Sequence, residues 1–301
     1  MPEKNQQTGS DPFAELRQSL ARQRAVWAAG ETMGERFMVP RSGKAGVKTI
    51  LHRPNAAPEP GARLPVIFNM HGGAWMGGDA ILMESFCRLL ADELPALVVN
   101  VNYSKADEAS IPYAIDEIVD VIRYFAAHAE AHGIDPEKMA VGGHSAGAHL
   151  ACCADFVLAQ QGFRLRAQML VYPVADMTSD NEGFRRYRTL WFPEGGWDLP
   201  HVSPLHAPAA MLERVSPAIF VICGRDELRS EGLAYARRLL DLGVEVKVRE
   251  YRDAEHGFLE VNRPDYPQDD PRISAEQAAL ARDCERHLIR ELRATLDLRP
   301  R

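Results

Sequence analysis

Cysteine is scarce in this chain: it occurs five times in 301 residues, with no spacing typical of a disulfide framework. Cys152 and Cys153 are adjacent, and the chain contains no C-x-x-C element. Small secreted proteins carry many paired cysteines, whereas proteins of reducing compartments do not. The sequence therefore argues against a disulfide-stapled fold and against a cysteine-bound metal, and it predicts a cytoplasmic protein.

Long apolar runs and an excess of positive charge are also lacking. No run approaches the roughly 18 apolar residues that span a bilayer, and residues 1–11 lack the pattern of a signal peptide. The chain has 35 Lys and Arg against 42 Asp and Glu, a formal net charge of −7. Because nucleic acids and anionic membranes attract clustered basic residues, we expect neither as a partner. A small molecule is the expected ligand.

The chain does contain an alternation of short apolar runs with amphipathic segments, without internal repeats. After two strands within 36–53, further strands are predicted at 64–70, 96–102, 139–142, 167–172, 218–223 and 244–251. Helices are predicted at 82–94, 111–132, 146–160, 228–242 and 275–296. This order predicts an α/β fold with a mostly parallel, doubly wound sheet covered by helices on both faces. The length fits a single domain over residues 1–301.

Two segments fall outside this alternation. Residues 1–35 contain a polar tail and a predicted helix over 13–29, and residues 173–216 contain tryptophans, prolines and little regular pattern. We expect both segments to contribute to a small helical cap above the sheet.

A serine lies in a G-x-S-x-G pattern, Gly143-His144-Ser145-Ala146-Gly147, between a predicted strand and a predicted helix. The pentapeptide alone also occurs by chance in loops of small residues. A strand that turns directly into a helix through a serine is, however, typical of a nucleophile elbow, where the sharp turn exposes the hydroxyl and the glycines relieve crowding. The context therefore predicts that Ser145 is a catalytic nucleophile.

A serine nucleophile needs a base. His256 follows the predicted strand 244–251 and precedes the last helix, so we expect it at the same sheet edge as Ser145. A plain surface histidine is the alternative interpretation, but the order of motifs along the chain favours the base. His71 is expected to stabilise the glycine loop, and His149 to pack or to lie at the surface. His144, next to Ser145 on a tight turn, is badly placed to accept the hydroxyl proton.

The base needs an acid that orients it, and the acid is expected between the serine and the histidine in chain order. Asp226 comes shortly after the predicted strand 218–223. Glu227 and Asp253 are its rivals. Asp253 is three residues before His256 and is expected in a turn, so Asp226 is the favoured acid.

A glycine-rich loop follows the predicted strand 64–70, with the sequence His71-Gly72-Gly73-Ala74-Trp75. Glycines let a backbone approach a substrate and turn its N–H groups inward. We expect the N–H groups of Gly72, Gly73 and Ala146 to form an oxyanion hole. A phosphate-binding loop is the rival interpretation, but neither G-x-x-x-x-G-K-[ST] nor G-x-G-x-x-G is present.

Together these motifs resemble those of the hormone-sensitive-lipase-like esterases, bacterial family IV of the α/β-hydrolase fold. The similar elements are His71 to Trp75, Tyr103 with Glu108, Gly143 to Gly147, Ser203-Pro204-Leu205, Asp226 to Leu228 with Glu231-Gly232, and His256-Gly257-Phe258. The resemblance implies ester hydrolysis by the triad named above, an oxyanion hole and a cap. We expect no metal and no cofactor. Two departures stand out. His144 replaces the family's usual Asp, and Ala106-Asp107-Glu108 replaces an Ala-Pro-Glu.

The predicted activity is hydrolysis of small, short-acyl carboxylic esters through an acyl-enzyme. Two alternatives remain open: an amide hydrolase of the arylformamidase type, and a non-catalytic small-molecule receptor on the same fold. A homodimer formed through the edge strand 244–251 is a further expectation. Four aromatic or apolar residues either line the substrate pocket or simply pack in the interior: Trp27, Trp75, Met76 and Trp191.

Overall fold

An eight-stranded sheet forms the centre of the computed structural model, which describes residues 11–180 and 182–298. The strands are β1 (Glu35–Arg41), β2 (Lys44–His52), β3 (Leu64–Met70), β4 (Leu97–Asn102), β5 (Ile134–His144), β6 (Ala167–Val171), β7 (Ala218–Arg225) and β8 (Val246–Glu255). Their order is β1-β2-β4-β3-β5-β6-β7-β8. β1 pairs antiparallel with β2, and β2 with β4, whereas all later neighbours are parallel. The predicted, mostly parallel α/β sheet is confirmed.

Helices connect the parallel strands and cover the sheet. They are α1 (Ala14–Ala28), α2 (Glu84–Glu93), α3 (Ile111–Ala127), α4 (Ala129–His132), α5 (Ala146–Gln160), α6 (Glu182–Trp191), α7 (Ala209–Leu212), α8 (Arg229–Asp241), α9 (Phe258–Val261) and α10 (Ala275–Thr295). The side chain of Ser110 caps α3 by accepting a hydrogen bond from the N–H of Tyr113. The helix predicted over 111–132 is in fact two helices, because the backbone leaves the helical region at His128.

Both faces of the sheet are buried. Every residue of β3 is buried, and its side chains alternate between two apolar cores. Phe68 belongs to the core that includes residues of α3 and α5, and Ile67 belongs to the core that includes residues of α2 and α10. Strands buried on both faces consist of nearly continuous apolar residues, which is why these runs were recognisable in the sequence.

The carboxyl ends of four parallel strands place the motif residues at one edge of the sheet. His71 follows β3, Ser145 follows β5, Asp226 follows β7 and His256 follows β8, each directly after the last strand residue. Since β3, β5, β6, β7 and β8 are parallel neighbours, these ends meet on the same side. In sheets of this kind ligands bind at that edge.

The two segments predicted to form the cap contact each other and the body of the protein. The ring of Phe13, just before α1, lies 6.2 Å from that of Tyr187 on α6. Arg24 of α1 forms a salt bridge with Asp107. Residues 1–10 of the predicted cap segment lie outside the described residues. In the described part of the chain, none of the helices combines the length and apolar character needed to cross a membrane.

Candidate active site

The turn at Ser145 has the strained geometry of a nucleophile elbow. Its φ and ψ angles are 53° and −118°, a backbone conformation that side-chain-bearing residues rarely adopt and that typically costs about 1–3 kcal/mol. A Cβ atom at Gly147 would lie 2.3 Å from the carbonyl oxygen of Met70, and one at Gly143 would lie 2.5 Å from the backbone of Gly147. Both glycines are therefore required by the close approach of the elbow to the end of β3.

Ser145, His256 and Asp226 form one hydrogen-bonded series. The Nε2 atom of His256 lies 2.8 Å from the Oγ of Ser145, and its Nδ1 lies 2.7 Å from the Oδ2 of Asp226. Asp226 is held in turn by the N–H of Leu228, which donates to Oδ1 at 2.9 Å. Because a carboxylate can only accept, Nδ1 carries the proton and Nε2 faces the hydroxyl as an acceptor. The side chain of Asp226 is almost fully buried, whereas that of His256 is 35% exposed.

The rival acids lie apart from this series. Glu227 is exposed. Asp253 lies at the end of β8 rather than in a turn, and its carboxylate accepts a hydrogen bond from the exposed Arg225. Of the three acidic candidates, the structure brings Asp226 to the histidine.

The other histidines near the motifs are buried and make structural contacts. His144 packs edge-on against Phe86, and burial lowers its pKa to about 3. His71 stacks on the ring of Tyr103 with the centroids 4.5 Å apart. His149 is fully buried, so the alternative that it lies at the surface was wrong. None of them is within hydrogen-bond reach of the Ser145 hydroxyl, which leaves His256 as its partner in the described residues.

The glycine loop differs from its prediction at one residue. The N–H of Gly72 donates to the Oε1 of Glu260 at 2.8 Å, so it is already engaged and cannot also serve an oxyanion. The N–H groups of Gly73 and Ala74 donate to no other group of the described residues. Ala74 has a positive φ of 52°, which turns the backbone sharply here. The prediction of Gly72 as an oxyanion donor is therefore corrected, with Ala74 as the candidate beside Gly73 and Ala146.

Sequence reasoning missed Glu260. It lies on the short helix α9, four residues after His256, and it is buried. A carboxylate so close to a candidate base and flanked by apolar residues was a detectable signal. Its partner Gly72, however, is 188 residues away in the chain, and no local pattern indicates that pairing.

A cavity of about 400 Å³ opens onto the Ser145 hydroxyl and the His256 ring. Of the four predicted wall residues, Trp27 lines it. Trp75 and Trp191 are buried against each other, with ring centroids 4.8 Å apart, and Met76 packs against the larger apolar core. The Trp75 indole N–H also donates to the Nδ1 of His149 at 3.1 Å. These three residues therefore pack in the protein interior and do not line this cavity, and their prediction as pocket walls is corrected.

A larger cavity, about 600 Å³, lies elsewhere along α1 and contains none of the triad residues. Lys105 lines it with its side chain buried, and burial lowers the pKa of this amine to about 8. Its Nζ donates to the Asn102 side chain at 2.9 Å and to the carbonyl of Tyr103. The buried amine is paired internally and the triad lies at the smaller cavity, so the cavity at Ser145 is the candidate active site. No cluster of three or more potential metal ligands occurs in residues 11–180 and 182–298.

Comparison with known proteins places this geometry in a family. A family model described as the alpha/beta hydrolase fold matches residues 67–260. An AB hydrolase superfamily protein of Schizosaccharomyces pombe is 31% identical over 237 residues, which cover 71% of this chain and 69% of that protein. An ethyl acetate hydrolase of Pseudomonas putida is 30% identical over 224 residues, which cover 69% and 70%.

A solved structure supports the same assignment at the level of the fold. The crystal structure of a thermostable esterase from Pseudomonas putida ECU1011 superposes with a TM-score of 0.76 at 24% identity, covering 97% of this chain and 94% of that one. The chain therefore belongs to the α/β-hydrolase family, and its motif resemblance to the hormone-sensitive-lipase-like esterases is confirmed.

Proposed function

We propose that this chain is a serine carboxylesterase that hydrolyses esters of small carboxylic acids through an acyl-enzyme. The observation that carries the proposal is the hydrogen-bonded series from the Ser145 hydroxyl through His256 to Asp226, with distances of 2.8 and 2.7 Å. Ester hydrolysis is also the activity named for the Pseudomonas putida relative.

The geometry supports a two-step reaction at Ser145. As its Oγ attacks the ester carbonyl, His256 takes the hydroxyl proton on Nε2, and Asp226 stabilises the resulting imidazolium through Nδ1. The tetrahedral intermediate collapses, and the alcohol leaves with the proton from Nε2. Water then enters, loses a proton to the same nitrogen and attacks the acyl-enzyme. The acid leaves and Ser145 regains its proton.

The carbonyl oxygen becomes negatively charged in both steps and needs donors. We assign this role to the backbone N–H groups of Gly73, Ala74 and Ala146. Ala146 begins helix α5, so its N–H has no partner within the helix. Removal of one such donor from a serine hydrolase typically costs about 10²–10³ in kcat.

The proposed substrates are small because the cavity is small. About 400 Å³ accommodates a compact ester but leaves little room for a long acyl chain. Trp27 of α1 forms part of its wall, which supports a cap role for the N-terminal segment. Part of the remaining lining is polar, including Gln23, Tyr266 and Arg272.

The test is hydrolysis of p-nitrophenyl esters from acetate to dodecanoate, alongside matched p-nitroanilides and an aryl formamide. We expect turnover of the short esters and loss of turnover in Ser145→Ala and His256→Ala. Ser42→Ala, at the exposed turn between β1 and β2, is the control. Faster cleavage of the formamide than of the matched ester would favour the amide hydrolase. No turnover and no labelling of Ser145 by a fluorophosphonate would favour the receptor.

Compartment and assembly are further parts of the proposal. All five cysteines are buried free thiols, which supports a cytoplasmic location, where thiols stay reduced.

β8 is the last strand of the sheet, and Val248 on it is 47% exposed. We propose a homodimer through this edge, which light scattering would show as twice the monomer mass, and which Val248→Lys would disrupt.

A further inference from the structure

Glu260 is a buried carboxylate at the candidate active site with no part in the reaction described above. Its Oε1 accepts the N–H of Gly72 at 2.8 Å, and its Oε2 accepts the hydroxyl of Tyr172 at 3.2 Å. Burial raises its pKa, while the Gly72 N–H and the positive charge that His256 can carry act in the opposite direction. Burying a carboxylate costs free energy, so the position of Glu260 next to the glycine loop needs a physical reason.

The contact with Gly72 leaves no space for a Cβ atom while the carboxylate keeps its position. A Cβ atom at Gly72 would lie 2.7 Å from both carboxylate oxygens of Glu260. Only glycine allows the carboxylate to lie directly against the backbone at this point. A glycine at the start of the loop therefore allows Glu260 to keep this position.

The hydrogen bond to Gly72 acts on the peptide units that follow it. Gly73 has φ 123° and Ala74 has φ 52°, both in the region that favours glycine. Fixing the N–H of Gly72 holds the His71–Gly72 peptide plane, from which the chain enters these two residues. The far side of the loop is held separately, since the carbonyl of Gly73 accepts the N–H of Gly77 at 2.8 Å. Donors held in advance stabilise a transition state without a reorganisation cost.

We propose that Glu260 is a positioning residue for the oxyanion hole: by accepting the Gly72 N–H, it fixes the start of the loop and so orients the N–H of Gly73, the next residue, towards the substrate carbonyl oxygen. The inference rests on the proposed esterase function. Glu260 also lines the cavity at Ser145, but in this role it acts through Gly72 and not on a reacting atom. Its effect is therefore expected in the transition state and not in ground-state binding.

Two substitutions of Glu260 separate this role from mere support of the fold. Glu260→Gln keeps an oxygen acceptor for the Gly72 N–H, and we expect kcat within about tenfold of the wild type. Glu260→Asp keeps the charge but draws the carboxylate back by one methylene, and we expect kcat to fall about 100-fold, the effect of a lost oxyanion donor. KM should change less than about threefold in both. The stabilities are compared by thermal unfolding.

A matched control is Asp155→Asn. Asp155 is also a fully buried carboxylate, and it accepts the N–H of Ser216 at 2.9 Å and its hydroxyl at 2.5 Å. It lies on α5, ten residues beyond Ser145, and faces no part of the loop. Loss of its charge is expected to alter the melting temperature and leave kcat within about twofold.

The decisive readout is affinity for a trifluoromethyl ketone. Ser145 Oγ adds to its carbonyl carbon, the proton passes to His256, and the carbonyl oxygen becomes an oxyanion in the hole. In Glu260→Asp we expect this affinity to fall by the same factor as kcat/KM. Wild-type kcat and inhibitor affinity in a folded Glu260→Asp would overturn the proposal. If the wild type hydrolyses none of the esters and its Ser145 is not labelled by a fluorophosphonate, the esterase function itself fails instead.

Discussion

The Nδ1 atom of His256 lies 2.7 Å from the Oδ2 of Asp226, while the other carboxylate oxygen accepts the N–H of Leu228 at 2.9 Å. The Leu228 N–H therefore holds the carboxylate of Asp226 in position next to the histidine. An acid held in this way presents one oxygen at a set position, and this selects the tautomer in which Nε2 is free to take the serine proton.

Asp226→Asn tests this relationship. An amide at this position can present its N–H₂ to the ring and select the wrong tautomer, so we expect kcat to fall about ten-thousand-fold with KM little changed. Asp253→Asn is the control, because its carboxylate pairs with the exposed Arg225 and lies outside the series. Hydrolysis of p-nitrophenyl acetate measures both. A loss of activity in the Asp253 variant instead would move the acid to that residue.

Much of the fold was accessible from the sequence, because parallel strands leave a continuous apolar signal. β3 is buried along its whole length and reads as an apolar run, and the Ser110 cap marks the start of α3. The break at His128 was not predictable, since the residues on both sides are compatible with a helix. The residue at which a helix or strand ends depends more on tertiary contacts than whether the segment forms a helix or a strand.

The site was predictable only where chain order and local turns define it. Ser145, Asp226 and His256 each follow a strand end, and parallel strands bring such ends together. The loop was harder, because the N–H of Gly72 is engaged by Glu260, which is far away in the chain. The roles of Trp75 and Trp191 were ambiguous for a different reason. An aromatic residue near a catalytic motif has the same sequence signal whether it walls a pocket or packs behind it.

Trp27 is expected to limit the acyl chain. It lines the cavity next to Ser145 from helix α1, so Trp27→Ala should enlarge the space available to the substrate. We expect the ratio of kcat/KM for the octanoate to that for the butyrate ester to rise at least about fivefold. Val26→Ala provides the comparison, because Val26 is the preceding residue and its side chain is 72% exposed. An unchanged ratio in Trp27→Ala would show that the acyl chain lies elsewhere.

His149 is expected to make stability depend on pH. Its Nδ1 accepts the indole N–H of Trp75, so Nε2 donates to the carbonyl of Val202, and burial lowers its pKa to about 4. The unfolded chain takes up this proton below about pH 6.5. The neutral ring therefore contributes fully to stability above that pH, and the contribution is lost as the pH falls towards 4.

His149→Gln can accept and donate similarly but does not titrate. We expect the wild type to lose about 3 kcal/mol of unfolding free energy relative to this variant between about pH 7 and pH 4. Urea unfolding at a series of pH values measures the difference. The other buried histidines titrate in both proteins, so their contributions cancel in the difference between the two unfolding free energies. Parallel pH curves for the two proteins would show that His149 is not held neutral.

His144 and Glu260 are expected to be coupled through Tyr172. The Tyr172 hydroxyl donates to Glu260, and its oxygen lies 3.5 Å from the Nδ1 of His144. A neutral imidazole can donate its Nδ1–H to that oxygen. The Tyr172 hydroxyl can therefore accept from His144 and donate to Glu260 at the same time. An aspartate at position 144, the residue that the resemblance to the hormone-sensitive-lipase-like esterases leads us to expect, would place a second acceptor opposite Glu260. The hydroxyl has only one proton to donate, so one buried carboxylate would lose a partner, at about 1–3 kcal/mol.

A double-mutant cycle measures this coupling. We expect His144→Asp to lower the unfolding free energy and kcat, and we expect Glu260→Gln to relieve much of that loss, because an amide can donate to the Tyr172 oxygen and leave its proton for the aspartate. A coupling energy of at least about 1 kcal/mol in the stabilising direction is the predicted result. Additive effects of the two substitutions would mean that the departure at His144 is independent of Glu260. A positive cycle would instead explain why a histidine precedes the nucleophile in this chain: the buried negative charge lies on Glu260, where it holds the oxyanion loop.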